Sequence, residues 1–186
     1  MQTEQQTILG IDPGTNIMGY GVISFKNNKL SVVSMGVLKF TNQGDQLLRL
    51  KDIFEGVVGI IEKFCPNSVA IESPFFGKNV QSMLKLGRAQ GVAIAAAMFK
   101  NIPVFEYSPR KVKMAITGKG SASKEQVAAM LHHLVAFEDD QKYLDASDAL
   151  GIAMCHHLQG KRLVGEKSYS GWETFLKKNA DRIISQ

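Results

Sequence analysis

Ile8-Leu9-Gly10-Ile11 is a short, dense apolar run that ends in a carboxylate, Asp12, before Pro13-Gly14 breaks it. A run of that length closed by Pro-Gly predicts a buried strand stopping at a turn. Gly19 to Phe25 predicts a second strand and Lys26 to Lys29 a turn. Leu30 to Phe40 predicts a third strand, with Val32, Met35, Val37 and Phe40 as its apolar positions. Strands so close in sequence, joined by short turns, predict an antiparallel meander. The spacing then becomes helical. Leu47, Leu50, Phe54, Val57, Val58, Ile61 and Phe64 predict an amphipathic helix over Gln46 to Phe64, with Asp45 as N-cap and Pro66-Asn67 as its stop.

Ser68-Val69-Ala70-Ile71-Glu72 repeats the opening theme, a short apolar strand ended by an acid. Asn79 to Lys100 predicts a second helix, on which Leu84, Gly87, Gly91, Ala95 and Met98 share one unusually small face. Glycine inside a helix costs about 1 kcal/mol against alanine, so this face points to close packing, either on the protein's own sheet or on a second chain. Ile102 to Tyr107 predicts a fifth strand, and Ser108-Pro109 an N-cap and first helical residue leading a helix to Thr117. Gly118 to Ser121 is a basic loop. Ser123 to Gln126 is a capping box opening a helix with Val127, Met130, Leu131, Leu134 and Val135 on its apolar side. Leu144 to Leu158 is the last strong helix. The pattern predicts an α/β fold, a five-stranded sheet flanked by helices, in one domain over residues 1–158. Residues 159–186 form a polar tail in which Trp172, Phe175 and Leu176 could anchor a short helix.

The 186 residues suffice for a substantial core. No apolar run reaches membrane-spanning length, and polar Met1 to Thr7 does not open a signal peptide. Cys65 and Cys155 stand far apart with no metal-ligand spacing, which predicts reduced thiols in a cytoplasmic protein. A net charge of +5 leans toward a polyanionic partner.

The acids carry the chemistry. Asp145-Ala146-Ser147-Asp148 puts two carboxylates on one helix face, where like charges disfavour the helix. A solvated first turn accounts for Asp145 alone. It accounts poorly for the pair, because Ala146, Ala149, Leu150, Ile152 and Ala153 mark a buried helix. For Asp12 the plain alternative is an acid accepting turn N–H bonds from Gly14 or Thr15. If the first and fourth strands are parallel neighbours, Asp12 and Glu72 stand side by side. Four hard oxygen donors held together need a divalent cation such as Mg²⁺. Two such ions about 3.5–4 Å apart clamp the oxygens of an in-line phosphodiester displacement. Without these four acids, 22 basic residues face 13 acidic ones, a balance of +9. Lys78, Lys85, Arg88, Arg110, Lys111, Lys113, Lys119 and Lys124 fall in segments bordering the expected site. Each lysine singly is readily explained as a solvated charge, but together they provide phosphate-binding surface around an acidic centre.

In order along residues 7 to 158, several motifs resemble the RuvC family of Holliday junction resolvases, which have a ribonuclease H-like fold. They are Ile8 to Gly14, Gly19 to Ile23, Ala70 to Glu72, Lys85 to Ile94, Val104 to Tyr107, Gly118 to Lys124 and Asp145 to Leu150. The resemblance implies that Asp12, Glu72, Asp145 and Asp148 are metal-binding catalytic carboxylates, the fourth being histidine in some relatives. It implies two Mg²⁺ per site, replaceable by Mn²⁺, and a homodimer that makes paired nicks across a four-way junction, leaving 5′-phosphate and 3′-hydroxyl ends. A RuvA–RuvB branch-migration complex is the implied partner. Phe75 falls where the family carries an aromatic that inserts at the junction, although adjacent Phe76 competes for that role. Lys113 and Lys124 fall on basic positions near the scissile phosphate, and Lys78 and Lys119 are further expected DNA contacts. Pro74, Ser147 and Gly151 depart from the family pattern.

Two other functions fit parts of the chain. A sugar-kinase-like ATPase also uses a strand ending Asp-x-Gly, but needs a second such domain, and no second Asp-x-Gly hairpin is present. A non-catalytic junction-binding module has no need of all four acids.

Overall fold

A computed structural model describes residues 5–27, 29–40, 45–74, 79–137 and 144–165. Five strands form one sheet in the order β3-β2-β1-β4-β5. They are β1 (Gln6–Asp12), β2 (Ile17–Lys26), β3 (Lys29–Lys39), β4 (Ser68–Glu72) and β5 (Val104–Tyr107). The first three strands form the expected antiparallel meander, and β4 and β5 add parallel to β1. The register of β3 on β2 skips Val33, which is half exposed. That extra residue lets Leu30, Val32 and Met35 all pack on the same side of the sheet despite their odd spacing.

Helices α1 (Gln46–Phe64) and α2 (Val80–Phe99) cover one face of the sheet, and α3 (Pro109–Thr117), α4 (Lys124–Leu134) and α5 (Leu144–Gly165) the other. Strand alternation divides the core accordingly. Leu9, Ile11, Val69 and Ile71 point into the α1–α2 layer, whereas Ile8 and Ala70 point to the α3–α5 layer. The helix starts are those the sequence specifies. Asp45 accepts from Leu47 and Leu48, Asn79 from Ser82 and Ser108 from Lys111, and the Ser123–Gln126 capping box is closed from both sides.

Two elements differ in extent from the sequence pattern. β5 omits Ile102 and Pro103; Pro103 has no N–H to offer the ladder, although its carbonyl still accepts from Val69. α5 continues past Leu158 to Gly165, because a polar stretch can extend a helix that is already nucleated and packed. The expected tail helix around Trp172 lies outside the described residues. Among the described residues no helix is long and apolar enough to cross a membrane.

Helix α5 rests directly on the meander. A Cβ at Gly10 would come within 2.1 Å of the Ala149 carbonyl, one at Gly19 within 2.0 Å of the Asp145 carbonyl, and one at Gly21 within 2.7 Å of Leu150 Cα. Glycine in these strands is therefore a matter of space: the helix backbone occupies the volume a side chain would need.

Candidate active site

The strand period places the first two acids. Ile8, Gly10 and Asp12 share the α5 face of β1, and Ala70 and Glu72 share that face of β4. Ile11 pairs with Ile71 in parallel register, so Asp12 and Glu72 are neighbours at the ends of adjacent strands. Asp12 also lies opposite Gly19, the residue over which the Asp145 backbone passes. The glycine contact thus lowers the first turn of α5 onto the strand that carries Asp12. Carboxylate oxygens of Asp12, Asp145 and Asp148 come within 4.8 Å of one another, and all three residues are half-buried. Glu72 joins them in a cleft also lined by Pro109, Val112, Lys113, Lys124 and Gly151.

The electrostatics of the cleft follow from this crowding. Burial first, and then the charge of Glu72, push the Asp12 carboxyl up to about 8. A hydrogen bond between the two carboxyl groups adds to the rise at Asp12, and burial raises Glu72 as well. Lys124 Nζ bonds Asp148 Oδ2 at 2.6 Å, and that bond holds the ammonium above its usual range. Crowding favours a protonated carboxyl at Asp12, and the Lys124 ammonium offsets part of the remaining negative charge. A hard divalent cation fits the same donors: among the described residues the set is all carboxylate oxygen, already convergent, with no sulfur or imidazole to favour a softer metal.

The structure brings Asp12, Glu72, Asp145, Asp148, Lys113 and Lys124 into one cleft. It leaves Lys119 outside that lining, exposed in the turn after α3, where its N–H bonds Thr117 Oγ1. Phe75, Phe76 and Lys78 lie outside the described residues.

Gln90 is a positioning residue that the apolar pattern does not reveal. It is buried on α2, and its Nε2 donates to the Glu72 carbonyl at 3.2 Å and to Glu106 Oε2 at 2.8 Å, tying the end of β4 to β5. In sequence it is one of two amides on α2, and only burial separates it from exposed Gln81. The three strand glycines are a second such group, legible as sites of close backbone approach.

A mixed sheet in this order, with acids converging from two central strand ends and a covering helix, defines a nuclease of the ribonuclease H-like fold. The family model described as crossover junction endodeoxyribonuclease RuvC matches residues 8–156. The chain belongs to that family. It is 54% identical over 182 residues to the crossover junction endodeoxyribonuclease RuvC of Bacteroides fragilis, covering 97% of each chain. It is 52% identical to that of Cytophaga hutchinsonii, covering 98% of this chain and 90% of the relative. Among solved structures, Thermus thermophilus RuvC in complex with a Holliday junction substrate superposes with a TM-score of 0.78 at 32% identity, over 84% of this chain and 95% of that one. The yeast mitochondrial resolvase Ydc2, at 16% identity, shares the fold with a TM-score of 0.63, over 92% of this chain and 83% of that one.

Proposed function

We propose that this chain cuts four-way DNA junctions by paired, symmetric nicks, with Asp12, Glu72, Asp145 and Asp148 as the catalytic, metal-holding carboxylates. The observation that carries this reading is the convergence of these acids in a cleft whose remaining charged walls are Lys113 and Lys124. Two Mg²⁺ ions, or Mn²⁺ in their place, would supply activation of water and stabilisation of the leaving 3′ oxygen, so that products carry 5′-phosphate and 3′-hydroxyl ends. The chain's own part is to hold and orient. The acids fix the donor set, and Lys113 and Lys124 grip the scissile phosphate. Lys78 and Lys119 add contacts to the DNA backbone, and Phe75 stacks at the opened junction.

Paired cutting needs two sites, so the working unit is a homodimer. In support, the small face of α2 is turned away from its own sheet. A Cβ at Gly87 or Gly91 would meet nothing within 4 Å, and Leu84 and Met98 on the same face are 56% and 65% exposed. On this reading the partner is a RuvA–RuvB branch-migration complex and the setting the cytoplasm.

The test is incubation with a synthetic four-way junction, with and without Mg²⁺. Symmetric, ligatable nicks that require the cation are expected. Intact junctions, or cleavage of linear duplex at the same rate, would overturn the reading.

A further inference from the structure

A second cavity, of about 220 Å³, opens between α1, α2 and the turn that follows β1. Thr15, Gln46, Arg49 and Lys85 supply its polar lining, and Leu50 and fully buried Ile53 belong to its apolar part. Among the described residues the lining holds two cations and no carboxylate. Arg49 is half-buried, and its Nη1 donates to Asn16 Oδ1 at 3.0 Å. The Asn16 amide helps to orient the guanidinium toward the cavity. The Asp45 cap already takes the Leu47 and Leu48 N–H groups at the start of α1, so the attraction for an anion comes from the side chains. The cavity is smaller than the roughly 300–1,000 Å³ typical of small-molecule sites, a size that suits one phosphate group better than a whole nucleotide. A guanidinium fork beside an ammonium is phosphate-binding chemistry.

Its position says which phosphate. Thr15 stands three residues beyond Asp12, in the turn that also supplies Pro13 to a smaller cavity, beside the acid cleft, that Asp12 and Glu72 line from its other side. Lys85 precedes Leu86, which lines that same smaller cavity. The turn and one helical turn of α2 form a common wall between the two cavities. We propose that this cavity holds a backbone phosphate flanking the scissile one, with Arg49 and Lys85 as its cations. The inference rests on the junction-cutting reading and adds to it a binding site apart from the acids and from Lys113 and Lys124.

The test measures binding of a synthetic four-way junction to the full chain without divalent cation, across a salt series. The wild type is compared with Arg49→Gln, Lys85→Gln, the double variant and Lys51→Gln. Lys51 is an exposed α1 lysine paired with Glu55 at 3.6 Å, outside the cavity lining. The double variant should bind about tenfold more weakly or worse, as expected for losing charge-assisted bonds. Its plot of log affinity against log salt should flatten by about 1, the signature of one phosphate contact. Lys51→Gln should keep the wild-type slope, and Arg49→Lys should recover most of it. Lys85 is exposed, so Lys85→Gln remains informative should the Arg49 variant fail to fold. An unchanged slope in the cavity variants, or an equal loss in Lys51→Gln, overturns the inference and leaves the junction-cutting reading standing. A wild type that does not bind the junction overturns both.

Discussion

Asp12 sits half-buried against Glu72, and burial followed by the Glu72 charge pushes its carboxyl well above the usual carboxylate range. Its folded value of about 8 lies above the ordinary 3.8. The stabilisation from the Asp12 proton is therefore complete below about pH 4 and lost as pH rises toward 8. Thermal melts of metal-free protein should fall in midpoint across that window, and Mg²⁺ should raise the midpoint more at pH 8.5 than at pH 5. Asp12→Asn should flatten the pH trend; a trend identical to wild type would mean that another group sets it. Replacing any of Asp12, Glu72, Asp145 or Asp148 by its amide should reduce junction cleavage by more than the roughly 10–100-fold typical of residues behind metal ligands, while junction binding survives. Lys124 gives a prediction of opposite sign. Its ammonium occupies Asp148 in the metal-free site, so Lys124→Gln should bind Mg²⁺ several-fold more tightly by calorimetry and yet cleave more slowly. Weaker cation binding in that variant would remove Lys124 as the stand-in charge. Asp12 and Glu72 were legible because a strand alternates strictly, so one apolar run fixes which face its last residue takes. Gln90 and Arg49 were not, because their partners, Glu72, Glu106 and Asn16, lie far away in sequence.

Among the elements, α5 is the one whose placement decides whether a site exists. It delivers Asp145 and Asp148 to strands it meets at backbone distance over Gly10, Gly19 and Gly21. Gly19→Ala should therefore cost about 1–3 kcal/mol, the usual range for overpacking, and should cut activity further than the stability loss explains, because the first turn of α5 must lift. Denaturant melts combined with cleavage by the folded fraction separate the two effects; normal cleavage per folded molecule would mean that the turn lifts without moving the acids. Helix α4 presents Lys124 at its first position, held there by the Ser123 cap. Ser123→Ala should lose about 1 kcal/mol and weaken the Lys124–Asp148 pair. The caps of α1, α3 and α4 were readable because each is a local pairing within three residues. The glycines were visible as strand interruptions, but what they admit is contributed by a helix more than 120 residues away. The pattern of β3 hid its skipped residue because Val32 and Met35 look out of phase until the bulge is known.

For the molecule as a whole, the open question is how one acid cluster makes two cuts, and the small face of α2 supplies the argument. Within one protomer Gly91 is exposed and its Cβ would meet no atom within 4 Å, so a side chain there is free of internal clash. Taken alone, Gly91→Ala should stabilise α2 by up to about 1 kcal/mol, since alanine is the better helix former. If the face is the seam between two copies, a long charged side chain there has the opposite consequence. Gly91→Glu would bury a carboxylate against the partner's apolar Leu84 and Met98 stripe, which is costly without a counter-charge. We therefore expect Gly91→Glu to melt near the wild-type temperature at low protein concentration. It should sediment as a monomer where wild type sediments as a dimer, and open junctions by single nicks that accumulate before any second cut. A dimer of unchanged stability in Gly91→Glu would move the seam away from α2, and a monomeric wild type on the junction would remove the two-fold unit altogether.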